Sequence, residues 1–251
     1  MMKTRITEFA RERLSSILSA ALAALALGAV LPRTATAAQV EEFSEAQIFL
    51  EENHTDGDLG IQFFVDGDPW DRIILFNPWW QRLVDVKVKG SSGIIGLTEL
   101  LSESAEPNFE DLPREDFLAL FPEGEYKFLA TTVEGPWLFG LADLTHTLPD
   151  PPKIIAPAED GGPVDPSAPF VVKWAEYPAD SVVSIHVVVE KDEEDERLRV
   201  LAADMNPEDT TLTVAPGFLE PGKAYKVEIL AEEESGNKII SEVEFETSGE
   251  P

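Results

Sequence analysis

Apolar and polar positions alternate along most of this chain, and the alternation predicts strands. Phe170, Val172 and Trp174 alternate with Val171 and Lys173, and Val183, Ile185, Val187 and Val189 form a second row. This is the period-two pattern of half-buried strands. Residues 153–155, 198–201, 211–214, 224–231 and 239–245 complete a set of seven short strands. The charged run 190–196 reads as a loop or hairpin tip, and Ser235-Gly236-Asn237 as the turn before the last strand. Upstream, residues 47–51 open another strand-rich segment. Ile61, Phe63 and Val65 share one face, and Asp66-Gly67-Asp68-Pro69 is predicted to turn the chain. Strands follow at 73–76, 82–88, 126–130 and 138–145. Two helical pieces interrupt, at 97–102 and 113–120. The second has Pro113 in its first turn and Phe117, Leu120 and Phe121 on one side.

Pro149-Asp150-Pro151-Pro152 breaks the pattern. Three prolines in four residues predict a stiff, extended connector. The expected organisation is a β-rich domain at 38–148, a linker at 149–152 and a second β domain at 153–248. The fold class is mostly β: two β-sandwich-like domains in tandem, the first with short helical insertions.

Leu219-Glu220-Pro221-Gly222-Lys223-Ala224-Tyr225 leads into the alternating run 226–231. With Trp174 near the end of a strand, this segment resembles a fibronectin type III domain. The resemblance covers about residues 152–247. It implies a seven-strand Greek-key sandwich, Trp174 in its core, and a corner in which Leu219 packs and the Tyr225 hydroxyl bonds back to nearby backbone. It implies no activity, since this architecture hosts many. No Arg-Gly-Asp triplet is present. The stretch Phe121-Pro122-Glu123-Gly124-Glu125-Tyr126 echoes the same corner upstream, and the 38–148 segment carries no other family resemblance.

Residues 1–37 read as a secretory signal. Lys3, Arg5, Arg11 and Arg13 precede an uncharged Ala/Leu-rich stretch at 14–31, and Ala35-Thr36-Ala37 is a small-x-small cleavage site. An uncleaved anchor is the rival reading, because the apolar run is about long enough to span a bilayer. The expected location is periplasmic or secreted.

The chain has a net charge of −29, from 19 basic and 48 acidic side chains. The first 37 residues hold five of the basic and two of the acidic ones, so their removal leaves −32. Such a surface repels phosphate backbones and anionic headgroups. Nucleic acid is excluded as a partner, and so is a membrane after signal cleavage. With no cysteine, there is no disulfide, thiol catalysis or lipidated cysteine.

The chemistry-bearing residues are sparse. His54, His146 and His186 lie in different elements and lack the spacing of a zinc site. No serine sits in a Gly-x-Ser-x-Gly elbow. Asp56, Asp58, Asp66 and Asp68 offer oxygen ligands for calcium. They flank a strand of about 23 Å, however, so one ion cannot use both pairs. Turn chemistry explains the same residues. Trp79 and Trp80 lie between two strands, where tryptophans either cap a core or stack on a ligand. They are the ligand-binding candidates. No cofactor other than calcium is expected. The expected function is a non-catalytic binding or structural module that recognises an extracellular or envelope protein or glycan. The alternative is a small secreted hydrolase of an extracellular polymer, with the fibronectin-like domain as spacer.

Overall fold

The computed structural model describes residues 39–249 except 159, 179, 194 and 195, with the backbone alone at 192, 193, 196 and 197. The signal and its cleavage site lie outside the described residues, as does the centre of the 190–196 run. The protein is mostly β. No helix among the described residues is long and apolar enough to cross a membrane.

The first half holds β1 (Val40–Glu42), β2 (Glu45–Asn53), β3 (Asp58–Phe76), β4 (Arg82–Lys87), α1 (Gly90–Ile95), β5 (Leu97–Glu103), α2 (Arg114–Leu120), β6 (Gly124–Thr132) and β7 (Trp137–Leu144). The organising element is β3. Its first part pairs with β2 and β5, and its second with β4 and β6, with register shifts between Asp66 and Arg72. One strand therefore serves two layers. Leu59, Ile61, Phe63 and Val65 from its first part meet Ile73 and Leu75 from its second in one core, around buried Trp70, Tyr126 and Phe128. The chain β1–β2 bridges the layers from the other side. β1 runs parallel to β7, and the Phe43 amide donates to the Phe139 carbonyl. Gly140 permits this closure, because a Cβ there would lie 2.9 Å from the Ala46 Cβ.

Three upstream expectations change. Asp66-Gly67-Asp68 is not a turn but lies inside β3, where Gly67 packs against Phe43 and Leu138. The segment 97–102 is strand β5, and the helix before it is α1. Leu97 and Leu100 have a helical spacing, but they pack on the first core from a strand paired to β3, so tertiary pairing overrides the local pattern. In α2, Phe117 is buried and its ring lies 5.2 Å from that of Phe121, while Leu120 faces solvent.

The second half comprises β8 (Ile154–Ala156), β9 (Phe170–Trp174), β10 (Ser184–Glu193), β11 (Glu196–Met205), β12 (Thr211–Val214), β13 (Ala224–Glu232) and β14 (Lys238–Glu246). Strands β12-β9-β8 form one sheet and β14-β13-β10-β11 continue the other. The chain changes sheet after β9, β11 and β12. This is the two-sheet arrangement of fibronectin type III and immunoglobulin sandwiches. Between the sheets lie Trp174, Ile185, Val187, Val189, Val227 and Ile229, all fully buried or nearly so. Val183 leaves its predicted row: β10 starts at Ser184, and Val182 is the buried neighbour.

The halves are not beads on a connector. β14 pairs parallel with β2 (Lys238 opposite Glu51, Ile240 opposite Asn53), so one sheet runs through both cores. Asn237, fully buried, clasps the junction. Its Oδ1 accepts from the Leu50 amide at 2.8 Å, and its Nδ2 donates to the Thr145 carbonyl, the Thr145 hydroxyl and the Thr147 carbonyl. Asn53 Nδ2 reaches Glu242, the Glu242 amide donates to Thr55 Oγ1, and Lys238 lies 4.4 Å over the Phe49 ring. The proline segment is tied at its centre as well, where the Tyr177 hydroxyl donates to the Asp150 carbonyl.

Candidate functional site

The β3–β4 turn is Asn77-Pro78-Trp79-Trp80-Gln81, and it is built from within. The Asn77 side chain is buried, and its Oδ1 accepts the amides of Trp79 at 3.0 Å and Gln81 at 2.9 Å. Its Nδ2 donates to Gln81 Oε1, its own amide to the Gln81 carbonyl, and the Trp80 amide to the Asn77 carbonyl. Trp80 is held at φ 64°, a left-handed conformation that costs a bulky residue about 1 kcal/mol or more. From below, Lys127 Nζ donates to the Pro78 carbonyl and lies 5.5 Å from the Trp80 ring centroid. Phe76 supports Trp80 at 5.7 Å. The result is a turn whose backbone amides are all committed and whose indoles project: Trp79 is 66% exposed and Trp80 50%. Beside it, Asp85 bridges Arg72 and Arg82 at 2.7 and 2.8 Å, which holds its carboxyl below the usual range. Trp70, by contrast, is wholly buried, and Trp137 is partly exposed on β7.

The two aspartate pairs, Asp56 with Asp58 and Asp66 with Asp68, stay apart. Asp58 pairs opposite Asn53 and Asp66 opposite Glu45, the two ends of the β2–β3 ladder. Asp56 acts on its neighbour by raising the Asp58 carboxyl, second to burial. A different carboxylate group does converge: Glu51 of β2, Glu103 at the end of β5 and Glu106 beyond it bring oxygens within 4.8 Å of one another. Burial raises Glu51, opposed by Lys238. Burial, then repulsion from Glu103, Asp58 and Glu51, pushes Glu106 up to about 7. Gly60 makes room, since a Cβ there would lie 2.9 Å from Glu106 Cγ. Nothing in the spacing of 51, 103 and 106 announces this group, which depends on β5 being a strand beside β3.

Of the histidines, His186 binds Asp204 at 2.6 Å through Nδ1, with Glu232 3.8 Å from Nε2, and these partners raise its pKa. His146 Nε2 lies 2.8 Å from the Phe121 carbonyl. Trp174 is buried in the second core, and Leu219 is buried beside the corner. There the Tyr225 hydroxyl accepts the Glu220 amide at 2.7 Å. The upstream echo is also a corner, with the Tyr126 hydroxyl donating to the Pro122 carbonyl at 3.0 Å and burial pushing the phenol up to about 12. A cavity of about 330 Å³ lies far from both sites in sequence, lined by Gly161, Pro163, Ala224, Tyr225 and Glu244 to Glu246.

No family model matches the chain, and no curated protein matches it. Solved structures similar to it include the FN1–FN3 domains of chicken CNTN1, at 14% identity and a TM-score of 0.36, covering 84% of this chain and 66% of that one. The human OSCAR ligand-binding domain matches at 13% identity and 0.28, covering 81% and 97%. The BSP domain of a biofilm associated protein matches at 14% identity and 0.25, covering 83% of this chain and 30% of the other. None of these three reaches a TM-score of 0.5, and the fold rests on this chain's own strand pairings.

Proposed function

We propose that this chain is an exported, non-catalytic binding module for an extracellular or envelope protein or glycan, with the Trp79–Trp80 turn as its recognition element. The supporting observation is the locked turn. A buried asparagine, a buried lysine and a strained backbone position all serve to hold two indoles in solvent. Large apolar side chains held outward in this way are the anchors of recognition surfaces. Ordering them in the free protein removes part of the entropic cost of binding. Exported localisation rests on the sequence of residues 1–37. The test is a pull-down from the producing organism's envelope and secreted material, with residues 38–251 as bait beside Trp79→Ala/Trp80→Ala. Reproducible capture that the double variant loses supports the module. Identical capture by both removes the turn from recognition.

The hydrolase reading keeps one observation in its favour. Glu106, pushed up to about 7 beside Glu51 and Glu103, has the protonation of a general acid at neutral pH. Release of reducing ends from an extracellular polymer, abolished by Glu106→Gln, would establish it; turnover unaffected by that substitution would end it.

A further inference from the structure

We infer that the Trp79–Trp80 turn takes an uncharged polysaccharide, the sugar rings stacking on the indole faces. This rests on the binding-module reading and narrows its ligand. The first argument is area. A stable protein interface buries about 800 Å² per partner. The two indoles, 66% and 50% exposed, offer on the order of 250 Å² together. Leu83 on β4, 38% exposed, adds one aliphatic side chain to this surface, and the next exposed apolar residues along the chain, Ile94 and Ile95, lie beyond the far end of β4. That strand alone measures roughly 20 Å. The apolar surface at the turn is thus small. By itself it falls well short of a protein interface, and it suits one or two rings of a chain.

The second argument is the surroundings. Gln81 and Arg82 are exposed immediately after the indoles, and Glu125 faces solvent on the neighbouring β6 start. Arg82 and Arg72 share the Asp85 carboxylate, Asp71 also acts on Arg72, and Lys127 lies 3.7 Å from Glu125, so three cations face three carboxylates. The rim therefore supplies hydrogen-bonding groups for hydroxyls rather than an unanswered charge for an ionic ligand. Neither indole N–H has a hydrogen-bond partner among the described residues, and neither indole N–H is enclosed, so both donors remain free for a ligand.

The third argument is the field. At a net charge of −29, the protein opposes the approach of uronate, sulfate or phosphate polymers. Salt screens this repulsion without turning it into attraction. A neutral chain meets no such barrier.

The experiment is affinity gel electrophoresis of the chain from residue 38 onward. The gels contain hydroxyethyl cellulose, laminarin, glucomannan or, as the anionic comparison, alginate. Retardation by at least one neutral polymer is expected, weakened by about tenfold for each ring removed in Trp79→Ala and Trp79→Ala/Trp80→Ala. Ile94→Ser/Ile95→Ser should leave retardation unchanged. Trp79→Ala alone decides the matter if the double variant does not fold, because the Trp79 ring makes no aromatic contact among the described residues while Trp80 packs on Phe76. Retardation by alginate alone, or equal retardation of wild type and Trp79→Ala, overturns the inference. Blank neutral gels with a protein partner that only the wild type captures also overturn it, while leaving the module reading intact. Blank gels without such capture remove both.

Discussion

Replacing Asn237 by alanine tests whether the two cores are one body. The carboxamide is fully buried and makes four hydrogen bonds across the junction. The Leu50 amide is the costliest orphan. Leu50 is itself fully buried, and a buried donor left without an acceptor costs about 1–3 kcal/mol. The Thr147 carbonyl belongs to an exposed residue and water replaces its donor at little cost. The Thr145 carbonyl and hydroxyl are half-buried and lose about 1 kcal/mol between them. The expected total is about 3 kcal/mol, which is about 6–12 °C in Tm for a chain of this size. The assay is urea unfolding followed by tryptophan fluorescence and far-UV circular dichroism. Asn237→Asp should be at least as harmful, because a carboxylate cannot donate to the Thr145 and Thr147 carbonyls and is itself buried. A loss under about 1 kcal/mol for Asn237→Ala would refute the reasoning. It would mean that the parallel β2–β14 pairing holds the junction without its clasp.

Tyr225→Phe removes the acceptor of the Glu220 amide and should cost about 1 kcal/mol in urea unfolding; an unchanged midpoint would show that the corner bond contributes nothing. Gly140→Ala forces a Cβ to 2.9 Å from Ala46 and 3.1 Å from Phe43, where β2 crosses β7, and should cost about 1–3 kcal/mol by the same assay. A neutral result would mean that the crossing yields to a methyl group. Glu106 has a folded-state pKa of about 7 against 4.5, so its contribution to stability is full below pH 4.5 and is lost as pH rises through 7. Glu106→Gln should therefore flatten the pH dependence of Tm in that window and stabilise the protein at pH 8 by about 1 kcal/mol at most, because this exposed carboxyl is screened by water. An unaltered pH profile would place the group out of reach of its neighbours.

The second half was largely legible because each of its strands carries its own alternating row and its own turn. Where a row failed, at Val183, the strand began one residue late. The first half was harder, since β3 is 19 residues long and serves two layers. An Asp-Gly-Asp-Pro stretch inside such a strand has the composition of a turn, and only the packing of Gly67 on Phe43 and Leu138 shows otherwise. At the site, Trp79 and Trp80 could be read from sequence as loop tryptophans, whereas their supports could not. Asn77 resembles any turn asparagine, and Lys127 comes from a strand 49 residues past Pro78. Asn237 was visible only as a turn residue, because its partner Leu50 lies 187 positions away. Long-range partners of short polar side chains leave no periodic trace.

The shared sheet also bears on how this protein can be divided or recombined. A fibronectin-like sandwich is ordinarily a portable cassette, severed at its linker and moved between hosts. Here a cut at residues 149–152 would strip β14 from β2 and leave each piece with a raw strand margin. Such margins recruit other chains. The C-terminal half has the outline of an interchangeable part and the attachment of a permanent one. A truncation, a duplication or a domain shuffle that treats it as independent would yield fragments prone to self-association.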